Sequence, residues 1–233
     1  MKIIPAIDLI DGQNVRLTQG DYNKKTAMKR SPEEAVQFYS AFDSVARIHI
    51  VDLMGALKQE SLESSLITRL KSYTDLPLQI GGGLRSAETI KQYYDAGIDY
   101  FILGTKAITD IKWLTEMTVL YPGRIFVGID AREDDIYING WTENSGITIQ
   151  NYLADIKDLD LAGIIYTDIN KDGMVEGPNF ESTADINNST PHKVIASGGV
   201  RSKEDLDQLV SLGIEESIVG KASHNDEFWE GIK

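Results

Sequence analysis

An internal repeat is the feature that most constrains how this 233-residue chain can fold. When the sequence is shifted by 116 residues, the segment GGLRS at 82–86 falls on GGVRS at 198–202. The same shift aligns Gly97 with Gly213. Self-similarity at a fixed spacing is the signature of an architecture built from repeated units. The second half of the chain therefore repeats the first, with about four strand–helix units in each half.

Short apolar segments alternate with helical patterns to the end of the chain. Strands of continuous apolar sequence, separated by helices, are typical of a buried parallel sheet. The predicted strands are Lys2–Asp8, Arg47–Asp52, Leu76–Ile80, Tyr100–Leu103, Ile125–Asp130, Gly163–Asp168, Lys193–Ala196 and Ser217–Val219. We predict one α/β domain over 1–233, a (β/α)₈ barrel with half-barrels at about 1–121 and 122–233. Periodicity cannot show closure, so a doubly wound open sheet is the alternative.

Capping signals mark several helix ends. Residues 31–34 read Ser-Pro-Glu-Glu, which combines an N-cap serine, a proline at the first helical position and a capping-box glutamate. Ser86 and Ser202 are candidate N-caps at equivalent positions of the repeat. Gly97 and Gly213 stand where helix C-caps belong. The helices after the GGLRS and GGVRS segments are therefore expected to match in length and placement.

Composition excludes several classes of function. The formal net charge is −13, so we expect neither nucleic acid nor a membrane as a partner. The chain has no cysteine, and His49, His192 and His224 lack the spacing of metal ligands, so we predict no metal site. The sequence contains neither a run of about 18 apolar residues nor a secretion signal, which predicts a cytoplasmic protein.

Glycines follow matched strands of the two halves. Gly82 and Gly83 follow the third predicted strand, and Gly198 and Gly199 follow the seventh. Such glycines let the backbone approach a ligand, and the helix that follows offers free N–H groups to an anion. Further candidate binding residues are Gly104 and Thr105 after the fourth strand, and Gly220 and Lys221 after the eighth. Arg85, which follows the first glycine pair, is another.

Equivalent loops of two half-barrels lie on opposite sides of one mouth. The pattern therefore predicts two phosphate sites that face each other, and an elongated ligand with a phosphate at each end. A side chain at Gly82 or Gly199 is expected to block the approach of the backbone to a phosphate.

Carboxylates also occur in pairs. Asp8 ends the first strand and Asp130 ends the fifth, at equivalent positions of the repeat. Polar residues at the carboxyl ends of barrel strands are typical of catalysis, and two facing carboxyl groups suit one acid and one base. Asp52 and Asp168 form a second pair, and Asp172 follows in a loop where Asp-Gly is also a common turn sequence. Asp8 and Asp130 are therefore the principal catalytic candidates.

Trp141 and two lysines have more than one interpretation. Trp141 follows an apparent hairpin after the fifth strand, where it can stack on a heterocycle or pack beneath its own loop. Lys106 and Lys221 lie near strand ends, where a Schiff base is possible in principle and a phosphate contact is favoured.

The combined motifs resemble a known family of histidine biosynthesis, phosphoribosylformimino-aminoimidazole carboxamide ribotide isomerase (ProFAR isomerase). The resemblance runs from the first strand to the eighth. Its motifs are IPAIDLIDG at 4–12, VRL at 15–17, VDL at 51–53, GGG at 81–83 with Arg85-Ser86, GIDA at 128–131, GW at 140–141, TDI at 167–169 with Asp172-Gly173, GPN at 177–179, ASGG at 196–199 and VGK at 219–221.

The resemblance implies an Amadori rearrangement of an aminoaldose to an aminoketose, without metal or organic cofactor. By resemblance Asp8 is the general base and Asp130 the general acid, Thr167 assists, and Asp172 is a second candidate acid. The expected partner is a small substrate bearing two phosphates. We expect a monomer with no obligate protein partner.

Three other functions remain as alternatives. The cyclase of imidazole glycerol phosphate synthase resembles this chain in its barrel, repeat and both aspartates, but the segments AIDL at 6–9, GW at 140–141 and TDI at 167–169 resemble the isomerase. A barrel that only binds phosphosugars would need no acid–base pair. A bifunctional isomerase that also acts in tryptophan synthesis is the third alternative.

Overall fold

The computed structural model describes residues 1–18 and 20–232. Twelve strands lie in this part of the chain. They are β1 Lys2–Ile10, β2 Gln13–Thr18, β3 Asp21–Ala27, β4 Ile48–Asp52, β5 Leu78–Gly81, β6 Tyr100–Leu103, β7 Ile125–Arg132, β8 Asp135–Ile138, β9 Glu143–Thr148, β10 Gly163–Asp168, β11 Val194–Ser197 and β12 Glu216–Val219.

The predicted (β/α)₈ barrel is confirmed. Eight strands pair in parallel in the order β1, β4, β5, β6, β7, β10, β11, β12, and β12 pairs with β1, which closes the barrel. The open-sheet alternative is therefore wrong. The predicted strands at Arg47, Leu76 and Lys193 begin up to two residues too early, because the parallel pairing starts only at Ile48, Leu78 and Val194.

Ten helices surround the barrel in the same part of the chain. They are α1 Pro32–Tyr39, α2 Leu53–Lys58, α3 Ser64–Leu70, α4 Ala87–Asp95, α5 Thr105–Thr109, α6 Ile111–Leu120, α7 Ile149–Ile156, α8 Phe180–Ser189, α9 Lys203–Ser211 and α10 Asp226–Ile232. Two short 3₁₀ helices occupy Lys71–Tyr73 and Lys221–His224. Ser31 forms the predicted capping box with Glu34. Ser86 caps α4 through its side chain, whereas Ser202 makes no such bond to α9.

The repeat in the sequence is also a repeat in the structure. Strands β5 and β6 and helix α4 recur as β11, β12 and α9 at the same spacing of 116 residues. The backbone follows the same path in both copies: φ is 96° at Gly82 and 92° at Gly198. Gly97 and Gly213 both have positive φ one residue past the C-cap residues of α4 and α9, as expected of glycines that end a helix.

Each half-barrel also carries an antiparallel extension after its first strand. In the first half β1 pairs with β2, and β2 pairs with β3; in the second half β7 pairs with β8, and β8 pairs with β9. The sequence predicted only the second hairpin. Asp11 and Gly12 both have positive φ in the turn between β1 and β2, the geometry of a tight hairpin that Asp-Gly favours. These extensions rise on opposite sides of the barrel.

The barrel interior is packed rather than hollow. Side chains from alternating positions of the strands fill its centre; they are Ile4, Ala6, Ile102, Phe126, Ile165, Ile195 and Ile218. A larger apolar cluster lies between the strands and the surrounding helices. A cavity opens at the carboxyl ends of the strands.

Candidate active site

All fourteen candidate residues line one cavity at the carboxyl ends of the barrel strands. They are Asp8, Gly82, Gly83, Arg85, Gly104, Thr105, Asp130, Trp141, Thr167, Asp172, Gly198, Gly199, Gly220 and Lys221. β1 and β7 are four positions apart in the closed order of eight strands, so Asp8 and Asp130 approach the cavity from opposite walls. The two glycine-rich loops are opposite each other for the same reason.

Asp8 lies near the end of β1 and is 7% exposed. Its Oδ2 atom accepts a hydrogen bond from Nη1 of Arg16 over 2.5 Å. Burial raises the pKa of Asp8 to about 6, the guanidinium of Arg16 opposes this increase, and the negative charge of Asp172 adds to it. A carboxyl group with a pKa of about 6 is mostly ionised at neutral pH and can still accept a proton, which suits a general base.

Arg16 is a site residue that the sequence did not single out as functional. It projects from β2 of the first antiparallel extension and is 7% exposed. Its Nη2 atom lies 3.5 Å from Oδ1 of Asp172, so one guanidinium contacts carboxylates from both halves of the sequence. A Cβ atom at Gly220 would lie 2.5 Å from this guanidinium, which shows how closely the loop after β12 covers it. Arg16 therefore fixes the position and charge of Asp8.

Asp130 is the counterpart of Asp8 on β7. Burial raises its pKa, hydrogen bonds from the side chains of Trp141 and Thr167 oppose the increase, and the charge of Asp172 adds to it. Asp172 therefore acts electrostatically on both Asp8 and Asp130. A raised pKa makes it easier for a carboxyl group to hold a proton that it can donate to a substrate.

A side chain added at Gly82 or Gly199 would point into the protein rather than into the cavity. A Cβ atom at Gly82 would lie 2.1 Å from the backbone oxygen of Asp52, and one at Gly199 would lie 2.4 Å from that of Gly177. The expectation that a side chain here would block a phosphate directly is wrong, because it would first collide with a neighbouring loop. Backbone N–H groups as phosphate donors remain a prediction for both loops.

Gly82→Ala is expected to destabilise the fold more than Gly97→Ala. Both residues have positive φ, which a side chain disfavours, but a Cβ atom at Gly97 would have no neighbour within 4 Å. The additional overpacking at Gly82 is expected to cost about 1–3 kcal/mol of the free energy of unfolding, measured in urea. Gly198→Ala should fall between them, since its nearest backbone atom, the oxygen of Asp168, is 3.1 Å away. Equal losses at Gly82 and Gly97 would contradict the packing argument.

The two ends of the cavity differ in their cations. At the first end Nη2 of Arg85 donates to Oδ1 of Asn139 over 2.9 Å, and the backbone N–H of Asn139 donates to Oγ1 of Thr105. Within the described residues Arg85 has no ion pair. At the second end Nζ of Lys221 donates to the backbone oxygen of Gly173 over 3.4 Å. Each end of the cavity therefore has one cation that no carboxylate neutralises in the described residues.

Asp52 and Asp168 hold loops instead of forming a second catalytic pair. Asp52 accepts hydrogen bonds from three backbone N–H groups, those of Gly55, Leu62 and Glu63. Asp168 accepts from the side chain of Asn179 over 2.7 Å. Neither residue lines the cavity. Asp52 and Asp168 therefore occur at strand ends because their carboxylates hold the loops that follow.

Trp141 and Lys106 have close partners within the protein. The indole of Trp141 lies against Gly20, in the turn between β2 and β3, where a Cβ atom would be 2.4 Å from Cε3. Trp141 therefore reaches the other antiparallel extension rather than packing beneath its own loop, and its side chain also hydrogen-bonds to Asp130. Nζ of Lys106 forms an ion pair of 2.7 Å with Asp110. Among the described residues, no group of three acidic or histidine side chains could hold a metal ion, and no helix is long and apolar enough to span a membrane.

One comparison with known proteins bears on this cavity. The family model described as "Histidine biosynthesis protein" matches residues 2–229. The match includes every barrel strand, both glycine-rich loops and all fourteen candidate residues.

Proposed function

The chain belongs to this family of histidine biosynthesis proteins, and from that premise we propose that it is the aldose–ketose isomerase of the pathway. Its substrate is the aminoaldose ProFAR, which carries two phosphates, and its product is the corresponding aminoketose. The observation that carries the proposal is the pair of aspartates, buried Asp8 and partly buried Asp130, on opposite walls of one cavity between two equivalent glycine-rich loops.

The reaction needs one acid and one base. Asp130, or Asp172 in its place, donates a proton to the ring oxygen of the ribose, and the ring opens to a Schiff base. Asp8 then removes the proton from C2, and the enolamine tautomerises to the ketone. Thr167 hydrogen-bonds to Asp130 and assists. The pKa of about 6 at Asp8 and the raised pKa of Asp130 support these roles.

The remaining features of the proposal follow the resemblance. The enzyme acts without metal or organic cofactor, in the cytoplasm, as a monomer without an obligate protein partner. Two cations at opposite ends of the cavity, Arg85 and Lys221, support a ligand with a phosphate at each end. Backbone N–H groups of both glycine-rich loops are expected to add donors for these phosphates.

An absorbance assay tests the function. The purified protein is mixed with the aminoaldose, and the product is consumed by separately prepared cyclase and ammonia. Conversion that depends on this protein is the expected result. Turnover of the aminoketose with ammonia, without conversion of the aminoaldose, would instead identify a cyclase. Binding of both compounds without conversion would identify a barrel that only binds phosphosugars.

In a plot of kcat/KM against pH, the acidic limb is expected near pH 6: kcat/KM should fall as the pH drops below this value, because Asp8 becomes protonated and loses its charge. Arg16→Met removes the cation that lowers the pKa of Asp8, so the limb should move to higher pH, whereas Arg16→Lys keeps the charge and should move it less. Asp172→Asn removes a negative charge that raises this pKa, so the limb should move to lower pH. Shifts of the same sign in Arg16→Met and Asp172→Asn would contradict the role of Asp8 as the base.

A further inference from the structure

A row of polar side chains leads through the barrel to the floor of the cavity. Glu216 accepts a hydrogen bond of 2.6 Å from Nη2 of Arg47. Nε of Arg47 donates to Oε1 of Gln79, and Nε2 of Gln79 lies 2.9 Å from Nδ1 of His49. Gln79 is fully buried. His49 lines the cavity, so the row joins the amino end of the barrel to the candidate active site.

The direction of each hydrogen bond in this row is fixed by Arg47. A guanidinium can only donate, so the oxygen of the Gln79 amide must face it. Arg47 cannot turn away readily, since Glu216 holds it and it lies over the ring of Phe126 at 5.0 Å. The amide nitrogen of Gln79 therefore donates to Nδ1 of His49. That ring nitrogen must be the acceptor, which leaves the proton of a neutral imidazole on Nε2.

The second ring nitrogen has no partner in the protein. His49 makes no other hydrogen bond to residues 1–18 or 20–232. Burial, with the nearby positive charges of Arg16 and Arg47, lowers the pKa of His49 to about 3, so the ring stays neutral at physiological pH. His49 therefore offers the cavity one uncharged N–H donor.

The strand register places this donor below the catalytic carboxylate. His49 on β4 pairs with Ala6, and Val51 pairs with Asp8, so His49 lies one inward-facing position deeper than Asp8. A ligand whose phosphates occupy the two rims has its middle above this floor. Asp8 acts on C2 of the sugar that is rearranged, so the oxygen atoms of this sugar are acceptors that lie close to His49.

We propose that Glu216, Arg47 and Gln79 hold His49 as a fixed hydrogen-bond donor to an oxygen of the sugar that is rearranged. This inference rests on the proposed function for the identity of the acceptor. His49 is then a catalytic residue that neither gives nor takes a proton, and Gln79 and Arg47 are positioning residues that act through it. Proton transfer stays with the aspartates.

Nitrogen-15 NMR of the imidazole side chains tests the positioning without substrate. The chain has only three histidines, and His192→Gln and His224→Gln assign their signals. The wild-type protein should show His49 as the neutral Nε2–H form, without titration between about pH 5 and 8. Gln79→Glu places a carboxylate beside Nδ1, which can only accept, so the proton should move to Nδ1. An Nδ1–H form in the wild type would overturn the proposal.

Steady-state kinetics with the aminoaldose tests the contact. His49→Leu removes the donor and should lower kcat/KM by about 10-fold, the effect of one lost hydrogen bond to a buried acceptor. His49→Gln can present an amide N–H at the place of Nε2 and should lose less. Equal losses in the two variants, or a His49→Leu enzyme with unchanged kcat/KM, would overturn the contact.

The two experiments separate this inference from the proposed function. An inactive wild-type protein with the expected Nε2–H form would refute the isomerase and the sugar contact but not the positioning of His49. An active isomerase with His49 in the Nδ1–H form would refute the positioning alone. If Gln79→Glu fails to fold, Gln79→Met supplies a second variant, in which the fixed Nε2–H form should be lost.

Discussion

Replacing Asp8 by asparagine is expected to lower kcat by about 10²–10⁴ with little change in KM, because the amide cannot accept the proton from C2. Asparagine keeps the size of the side chain, so the cavity should retain its shape. Arg16 loses one of its two carboxylates but still contacts Asp172. Steady-state kinetics and urea unfolding of the same preparation separate lost chemistry from lost stability. A variant that kept more than about a tenth of the wild-type kcat would exclude Asp8 as the base.

The same substitution at Asp130 tests the acid. Asp130→Asn should lower kcat over the same range if Asp130 protonates the ring oxygen. Asp207→Asn is a control for the loss of one negative charge, since Asp207 is exposed and forms a surface ion pair with Lys203. If Asp130→Asn stays active and Asp172→Asn does not, Asp172 is the dominant acid.

The architecture could be predicted from the sequence because its signals are local and occur twice. Strands, helices and glycine turns each depend on a few neighbouring residues, and the repeat at 116 residues shows which of them correspond. Gly82 and Gly198 adopt nearly the same φ. The same logic located the cavity, since equivalent strand ends in a closed barrel meet at one mouth.

The partners of individual side chains could not be predicted in this way. Arg16 reaches Asp172, and Arg47 reaches Glu216, across more than half the chain, and no spacing marks such pairs. The repeat also misleads where its copies diverge. Arg201 occupies the position equivalent to Arg85, yet it pairs with Asp205, whereas Arg85 contacts Asn139 and lines the cavity. Two arginines at equivalent positions of the repeat therefore have different partners, and only Arg85 lines the cavity.

The cavity contains few cations that could serve a smaller substrate. Those that line it are Arg16, Arg85, Lys106 and Lys221. Arg16 is neutralised by two aspartates and Lys106 by Asp110. Arg132, the last residue of β7, lies over the ring of Tyr137 and does not line the cavity. Lys171 does not line it either. Of the described cations that line the cavity, only Arg85 and Lys221 lack a carboxylate partner, and the proposed function assigns each of them to a phosphate. The carboxylate of phosphoribosyl anthranilate, the tryptophan-pathway aminoaldose, therefore has no cation placed specifically for it.

We therefore expect kcat/KM for phosphoribosyl anthranilate to be about 10²–10⁴ lower than for the substrate with two phosphates. The single phosphate fills one end of the cavity and leaves the donors of the other end unpaired, and each lost charge-assisted hydrogen bond costs about 1.5–3 kcal/mol. Arg85→Gln and Lys221→Met provide the matched test. Both should weaken turnover of the substrate with two phosphates, whereas only the variant at the occupied end should weaken turnover of the smaller one. Efficiencies within tenfold of each other for the two substrates in the wild-type enzyme would instead indicate a bifunctional isomerase.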